Sequence, residues 1–283
     1  MIDGLVVVDK PAGMTSHDVV GRCRRIFGQK RVGHAGTLDP DATGVLLVGL
    51  GRATRLMQYM SGLSKTYTTE IVLGTATSTL DSAGEVTGKW DMSAVTLAEA
   101  VAAASSLTGE IDQVPPMVSA VKVGGRRLHQ LAREGIEVER APRRVTVSRF
   151  DLVDLGGGVL EASVDCSSGT YIRVLADDLG RLLGGGAHVR NLRRTAVGPF
   201  AIESAVALDD VGPDLVVPPA AMLPWLEAAT VEGDTEAAVR YGRPLSASEL
   251  GVAGEGPWRV LDRAGHLLAV YEADRRVVLE GAG

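Results

Sequence analysis

"GHAGTLDPDATGVLLVGLG", residues 33 to 51, sets a turn-rich loop directly against a strand. Its first twelve residues hold Gly33, Gly36 and Gly44, with Asp39, Pro40 and Asp41 between them, a composition that suits neither helix nor strand. From Gly44 to Gly51 the run is almost wholly apolar, which predicts a strand buried on both faces. Working outward, "GLVVVDKP" from Gly4 predicts a strand closed by Pro11. "TSHD" follows, and Thr15 with Asp18 makes a capping box for a helix. That helix carries Val19, Val20, Cys23, Ile26 and Phe27 on one face, with Arg22, Arg24 and Arg25 towards the other.

Beyond the loop, "KTYTTEIVLG" from Lys65 predicts a strand with Tyr67, Thr69, Ile71 and Leu73 on one side. "TLAEAVAAASSLTG" predicts a helix opened by Thr96 and Glu99 and ending near Gly109. "RRVTVSRFDLVDL" and "GGGVLEASVDC" are strands joined by a glycine-rich turn, "TYIRVLADDLGRLLGGG" is a helix, and "GPFAI" is a further strand. Hairpins and helices mix without a regular βαβ repeat, so the class is α+β. Composition shifts between Pro218 and Glu232. After it "WRVLD", "HLLAVYE" and "RRVVL" predict a small β-rich module of about fifty residues. The expected domains are 1–228 and 229–283, with "DTEAAVRYGRPLSASELGVAGEG" read as decoration of the second.

A chain of 283 residues with 45% hydrophobic composition can bury one large core and one small one. It has no twenty-residue apolar run, so no membrane span is expected. The start "MIDGLVVVDKPAGMTS" reads as a strand and not a signal peptide. Cys23 and Cys166 lack metal-ligand spacing, and so few cysteines fit a reducing, cytoplasmic setting. The formal net charge is −6, which by itself disfavours a nucleic-acid partner. Basic residues nevertheless cluster in "RCRRIFGQKR", "GGRRLHQLAR", "RAPRRVTVSR" and "HVRNLRR", while acidic ones collect from Asp209 to Glu255. That distribution fits either an RNA ligand or ordinary solvated faces.

Three chemistries compete for Asp39. A calcium loop fails, because the twelfth position counted from Asp39 is Leu50 and not an acid. A magnesium-dependent phosphatase aspartate matches "DPDAT", but its approach "VGHAGTL" is glycine-rich where an apolar strand is required. A lone carboxylate nucleophile fits a loop in which glycines admit close approach and Pro40 restrains the backbone. Such a carboxylate needs a positive partner to stay ionised.

The stretch "GHAGTLDPDATGVLLVGLGRATR" resembles the catalytic motif of the TruB family of tRNA pseudouridine(55) synthases. "DKPAGMTSHDVV", "KTYTTEIVLGTATSTLDSAGEV", "PPMVSAVKVGGRRLHQLAREG", "CSSGTYIRVLADDLG" and "GAHVRNLRRTAVGPF" match in the family's order. The resemblance runs from about residue 4 to 208, with "GTL" where some relatives have "GAL". The carboxy-terminal part is only loosely similar to a PUA-like RNA-binding module. The resemblance implies a mixed, largely antiparallel central sheet flanked by helices, and isomerisation of uridine 55 in the tRNA T loop after base flipping. It implies no metal and no cofactor; a monomer acting on the T arm is expected. Catalytic roles fall on Asp39, Tyr67 and Arg173. Three actions are open to Asp39: attack at C6, attack at C1′, or help in removing the C2′ proton. Tyr67 would stack on the base and help remove the C5 proton, and Arg173 would hold Asp39 ionised. His34, Tyr171, Lys10 and Leu192 would contact substrate or brace the loop. Arg22, Arg25, Lys30, Arg31, Arg126, Arg127, Arg190 and Arg193 are candidates for the RNA backbone. A non-catalytic tRNA-binding module is the alternative, with the phosphatase a more distant one.

Overall fold

The computed structural model describes residues 1–117, 119, 122–123, 125–127, 131, 134–136, 138–272 and 275–279. Its strands in chain order begin with β1 (Gly4–Lys10), β2 (Val32–Ala35), β3 (Thr43–Leu50), β4 (Lys65–Leu73), β5 (Thr75–Thr77) and β6 (Val86–Lys89). Next come β7 (Gly109–Gln113), β8 (Lys122–Val123), β9 (Arg126–Arg127), β10 (Arg143–Gly156), β11 (Val159–Cys166) and β12 (Ala187–Val197). The rest are β13 (Phe200–Ala201), β14 (Val206–Ala207), β15 (Glu227–Thr230), β16 (Trp258–Leu261), β17 (Leu267–Tyr271) and β18 (Arg276–Val278). The α-helices used below are α1 (Ser16–Ile26), α2 (Met57–Ser61), α3 (Leu97–Ser106), α4 (Ile172–Leu182), α5 (Gly233–Arg240) and α6 (Ala247–Leu250). The α+β class expected from sequence holds. Among the described residues no helix is long and apolar enough to cross a membrane.

The chain forms two compact units. One comprises residues 1–40, 45–61 and 203–283, the other residues 41–44 and 62–202. In the first unit β1 lies between β14, which it pairs in parallel, and β3, and β2 runs antiparallel to β3. Its core joins Val6 and Val8 of β1, Val19, Val20 and Cys23 of α1, and Leu46, Val48 and Leu50 of β3. The Thr15–Asp18 capping box is present, so α1 starts where its sequence signal stands. The same unit carries a four-stranded sheet, β15-β16-β17-β18, parallel at its first pair and antiparallel thereafter. The segment read as decoration forms α5 and α6, and their Val239 and Leu250 join Trp258, Val260 and Tyr271 in a core. It is part of the packing, a correction to the sequence reading.

In the second unit the strand order is β12-β4-β11-β10-β7, with β13 against β12. Every one of these pairs is antiparallel. Thr43 and Gly44, the first residues of β3, pair in parallel with Arg193 and Arg194 of β12. Gly44 has φ +102°, and a Cβ there would stand 2.1 Å from the Arg194 carbonyl oxygen, so that junction requires glycine.

Sequence reading missed β12, the eleven-residue strand between β4 and the start of β3. "AHVRNLRRTAV" reads as a basic segment because its alternation is broken. Register shifts fall between Arg190 and Arg193 and between Arg194 and Ala196, and Asn191 has φ +53°. Each bulge resets the two-residue period that marks a strand. The short β2 and β7 were also missed. Gly109 opens β7 at φ +97°, while α3 ends at Ser106 with Leu107 as its cap. "GPFAI" shrinks to the two residues of β13.

Candidate active site

In the first unit Asp39 lies in the stretch that follows β2. Gly36, at φ +77°, supplies a left-handed turn before it. The residues on each side of Asp39 are clamped. Leu38 N–H donates to Ser16 Oγ at 2.9 Å, and the Ser16 hydroxyl donates to the Leu38 carbonyl at 3.2 Å. The Pro40 carbonyl accepts from Lys10 Nζ at 2.8 Å and from Gly13 N–H at 3.0 Å. Lys10 is fully buried and also donates to the carbonyls of Pro11 (2.8 Å) and Met14 (2.7 Å). An ammonium has three donors, and three carbonyls engage them. Lys10 thus braces the loop at Pro40. Lys10→Met should lower unfolding free energy by about 2 kcal/mol, because buried carbonyls lose charge-assisted partners. An unchanged urea midpoint would show that the ammonium does not support the loop.

His34 is in β2, opposite Val48, and not in the loop where its glycine neighbours suggested. Its ring meets that of His17 edge-on, with centroids 6.3 Å apart.

In the second unit Tyr67 is buried in β4, on the same face as Lys65, Thr69 and Ile71. Its cross-strand partner is Arg194, whose side chain is fully buried. Lys65 donates to the Leu63 carbonyl at 2.8 Å. Its burial, and secondarily the nearby Arg194 charge, pull the ammonium down to about 8. Cys166 is buried in β11 and its thiol is pushed up to about 11 by burial, so it is not a thiolate at neutral pH.

Arg173 stands in the first turn of α4 and is 4% exposed. A positive charge there opposes the helix dipole. The side chain is held instead by a hydrogen bond from Nη1 to the Thr79 carbonyl (2.8 Å) and by the Asp81 carboxylate, 3.5 Å from Nη1. Asp81 is itself fixed, its Oδ1 accepting from Thr79 Oγ1 at 2.5 Å and from Ala83 N–H at 3.1 Å. Between them Leu80 takes φ +63°, a left-handed conformation unfavourable for leucine, so this turn carries local strain. In the sequence Thr79 and Asp81 carry no mark of this part. Tyr171, half-buried, is the residue that caps α4. Leu192 is half-buried in β12.

The basic candidates divide. Arg25, Lys30 and Arg31 are exposed, Arg31 donating to Thr54 Oγ1 at 3.1 Å. Arg22 pairs with Asp209 at 3.4 Å on an exposed surface. Arg190 pairs with Glu70 at 2.5 Å, Arg193 donates to Thr43 Oγ1 at 3.2 Å, and Arg126 pairs with Glu134. The Arg127 side chain lies outside the described residues, as does much of the "PPMVSAVKVGGRRLHQLAREG" block.

The family model described as TruB family pseudouridylate synthase (N terminal domain) matches residues 24–172. The model described as tRNA pseudouridylate synthase B C-terminal domain matches residues 173–216. Among curated relatives, the tRNA pseudouridine synthase B of Rhodococcus jostii (strain RHA1) is 47% identical over 278 residues, covering 95% of this chain and 90% of the relative. That of Symbiobacterium thermophilum is 50% identical over 246 residues, covering 85% of this chain and 82% of the relative. Among solved structures, a chain of a Cbf5–Nop10–Gar1 complex superposes with a TM-score of 0.75 at 26% identity, covering 97% of this chain and 82% of that chain.

Proposed function

The chain belongs to the TruB family of pseudouridylate synthases, and from that premise we propose that it isomerises uridine 55 in the T loop of tRNA to pseudouridine. The C1′–N1 bond breaks, the base turns over, a C1′–C5 bond forms, C5 loses its proton and N1 gains one. No atom is consumed, so the protein's task is to extrude, hold and re-aim one base. Extrusion costs a few kcal/mol, offset by stacking and phosphate contacts.

The observation that carries this reading is the double clamp on Asp39. A carboxylate that acts on a sugar or base must keep its direction while the base moves. Ser16 fixes Leu38 and the buried Lys10 fixes Pro40, so the peptide bearing Asp39 is held on both sides. Within the proposal Asp39 is the reacting carboxylate, Arg173 keeps it ionised, and Tyr67 stacks on the base and assists loss of the C5 proton. His34, Tyr171 and Leu192 contact the extruded nucleotide. The exposed Arg25, Lys30 and Arg31 meet the T-arm backbone. Arg22, Arg126, Arg127, Arg190 and Arg193 are weaker candidates, since the described ion pairs already offset Arg22, Arg126 and Arg190.

The test is a tRNA transcript carrying tritium at uridine C5. Isomerisation expels the label at one site per tRNA. Binding without release would leave only the tRNA-binding alternative standing. Binding should also weaken steeply with salt despite the net charge of −6, because each neutralised phosphate releases counterions. A flat response of Kd between about 50 and 200 mM salt would remove the basic residues from the interface.

A further inference from the structure

We propose that Gln113 is a positioning residue for the isomerisation, acting through the backbone of Tyr171 to aim the first turn of α4. The proposal rests on the family reading of Tyr171 and Arg173 given above.

Gln113 is the last residue of β7 and is 2% exposed. Its Oε1 accepts from Tyr171 N–H at 2.9 Å, and its Nε2 donates to the Tyr171 carbonyl at 3.3 Å. One side-chain amide thus grips both main-chain groups of a single residue 58 positions away. Two such bonds fix rotation as well as position, as a strand partner would. Tyr171 is the cap of α4, and it contributes no side-chain capping bond. Serine, threonine, aspartate or asparagine usually holds a helix start from within. Here the hold comes from another strand. The Tyr171 carbonyl also accepts from Val174 N–H (3.1 Å) and Leu175 N–H (3.2 Å), the opening bonds of the helix. Gln113 therefore grips the residue from which the first turn is laid down.

Arg173 is two residues further on. The tip of its side chain rests on Thr79 and Asp81. Its backbone end is set by the turn that Gln113 holds. β7 gives a firm mount: Gln113 is opposite Arg143 in the antiparallel ladder with β10, and Arg144 pairs with both Glu110 and Asp112. A tilt of roughly ten degrees about Tyr171 carries a long side-chain tip by about an ångström, and a misplacement of that size costs on the order of a hundredfold in rate.

Gln113→Glu separates this role from simple core filling. A neutral carboxyl can place one donor and one acceptor on Tyr171, as the amide does, whereas a carboxylate accepts only. The ionised variant faces the Tyr171 carbonyl with an oxygen in place of the donor. Burial raises the pKa of such a carboxyl, so the neutral, two-handed form is favoured as pH falls and the carboxylate as pH rises. Single-turnover tritium release and tRNA binding are measured for wild type, Gln113→Glu and Gln113→Leu from about pH 5.5 to 8. Asp112, Tyr171 and every other group the proteins share drop out of the ratio to wild type taken at each pH. The Glu variant is expected to be at least about tenfold slower than wild type at pH 8 and to approach it as pH falls, with tRNA Kd unchanged throughout. The Leu variant is expected to be slow at every pH, with kcat reduced and KM kept. A Glu variant that equals wild type at pH 8, or whose ratio is flat with pH, overturns the proposal. So does a folded Leu variant of normal rate. If the Leu variant does not fold, the pH ratio of the Glu variant decides alone. Wild type that releases no tritium would instead sink the functional reading on which this rests.

Discussion

Asp39→Asn is expected to bind tRNA as wild type does and to lose at least about a thousandfold in single-turnover rate. The amide has nearly the same shape, and the clamps on Leu38 and Pro40 are made by the backbone, Ser16 and Lys10, none of which uses the Asp39 side chain. The loop should therefore keep its course. What disappears is the carboxylate: an amide is not a nucleophile toward carbon and does not accept a proton at neutral pH, so all three actions open to Asp39 fail together. Tritium release measured with enzyme in excess checks the rate, and filter binding checks the affinity. Residual activity within tenfold of wild type would take the reaction away from Asp39. The result also separates an enzyme from a binding module, since a binder would show no difference between the two proteins in either assay.

How far this was legible in the sequence depends on the range of the interaction. The capping box at Thr15 and Asp18, the buried run of β3 and the alternation of β4 are local, and they stand where their patterns put them. Asp39, Tyr67 and Arg173 were visible as residue types inside a motif. Their supports were not. Ser16 reads as one more residue of a helix start, yet its hydroxyl reaches Leu38, 22 positions on. Gln113 reads as a polar residue before two prolines, yet it grips Tyr171. Thr79 and Asp81 read as turn formers, yet they hold Arg173. Each of these is one partner of a long-range hydrogen bond or ion pair, and a single sequence carries no mark of the other partner. The strand β12 was lost for a different reason. It is bulged and rich in arginine, so its burial alternates out of step, and charge suggested a solvated face where Arg194 is in fact fully buried.

Arg173→Lys is expected to cost at least about a hundredfold in turnover while leaving tRNA affinity nearly unchanged. If the side chain supplied charge alone, lysine would serve. The structure gives it more to do. Arg173 is almost completely buried, and Nη1 donates to the Thr79 carbonyl while the Asp81 carboxylate lies 3.5 Å from the same atom. A guanidinium is planar, with five donors in fixed directions, so a bond to Thr79 sets the plane in which the remaining donors point. Within the proposed mechanism those donors must hold the Asp39 carboxylate ionised and oriented, which a planar fork does through parallel hydrogen bonds. A lysine ammonium is a single point on a flexible stem. It can follow Thr79 and Asp81 or turn toward another carboxylate, but it cannot serve both with fixed geometry. Loss of direction at the reacting group by about an ångström accounts for the expected factor. The measurement is single-turnover tritium release for Arg173→Lys beside Arg173→Met. The methionine variant should be slower still, because it also removes the charge from beside Asp81. Near-wild-type rates for the lysine variant would mean that charge suffices and that the Thr79 contact has no part in aiming the site.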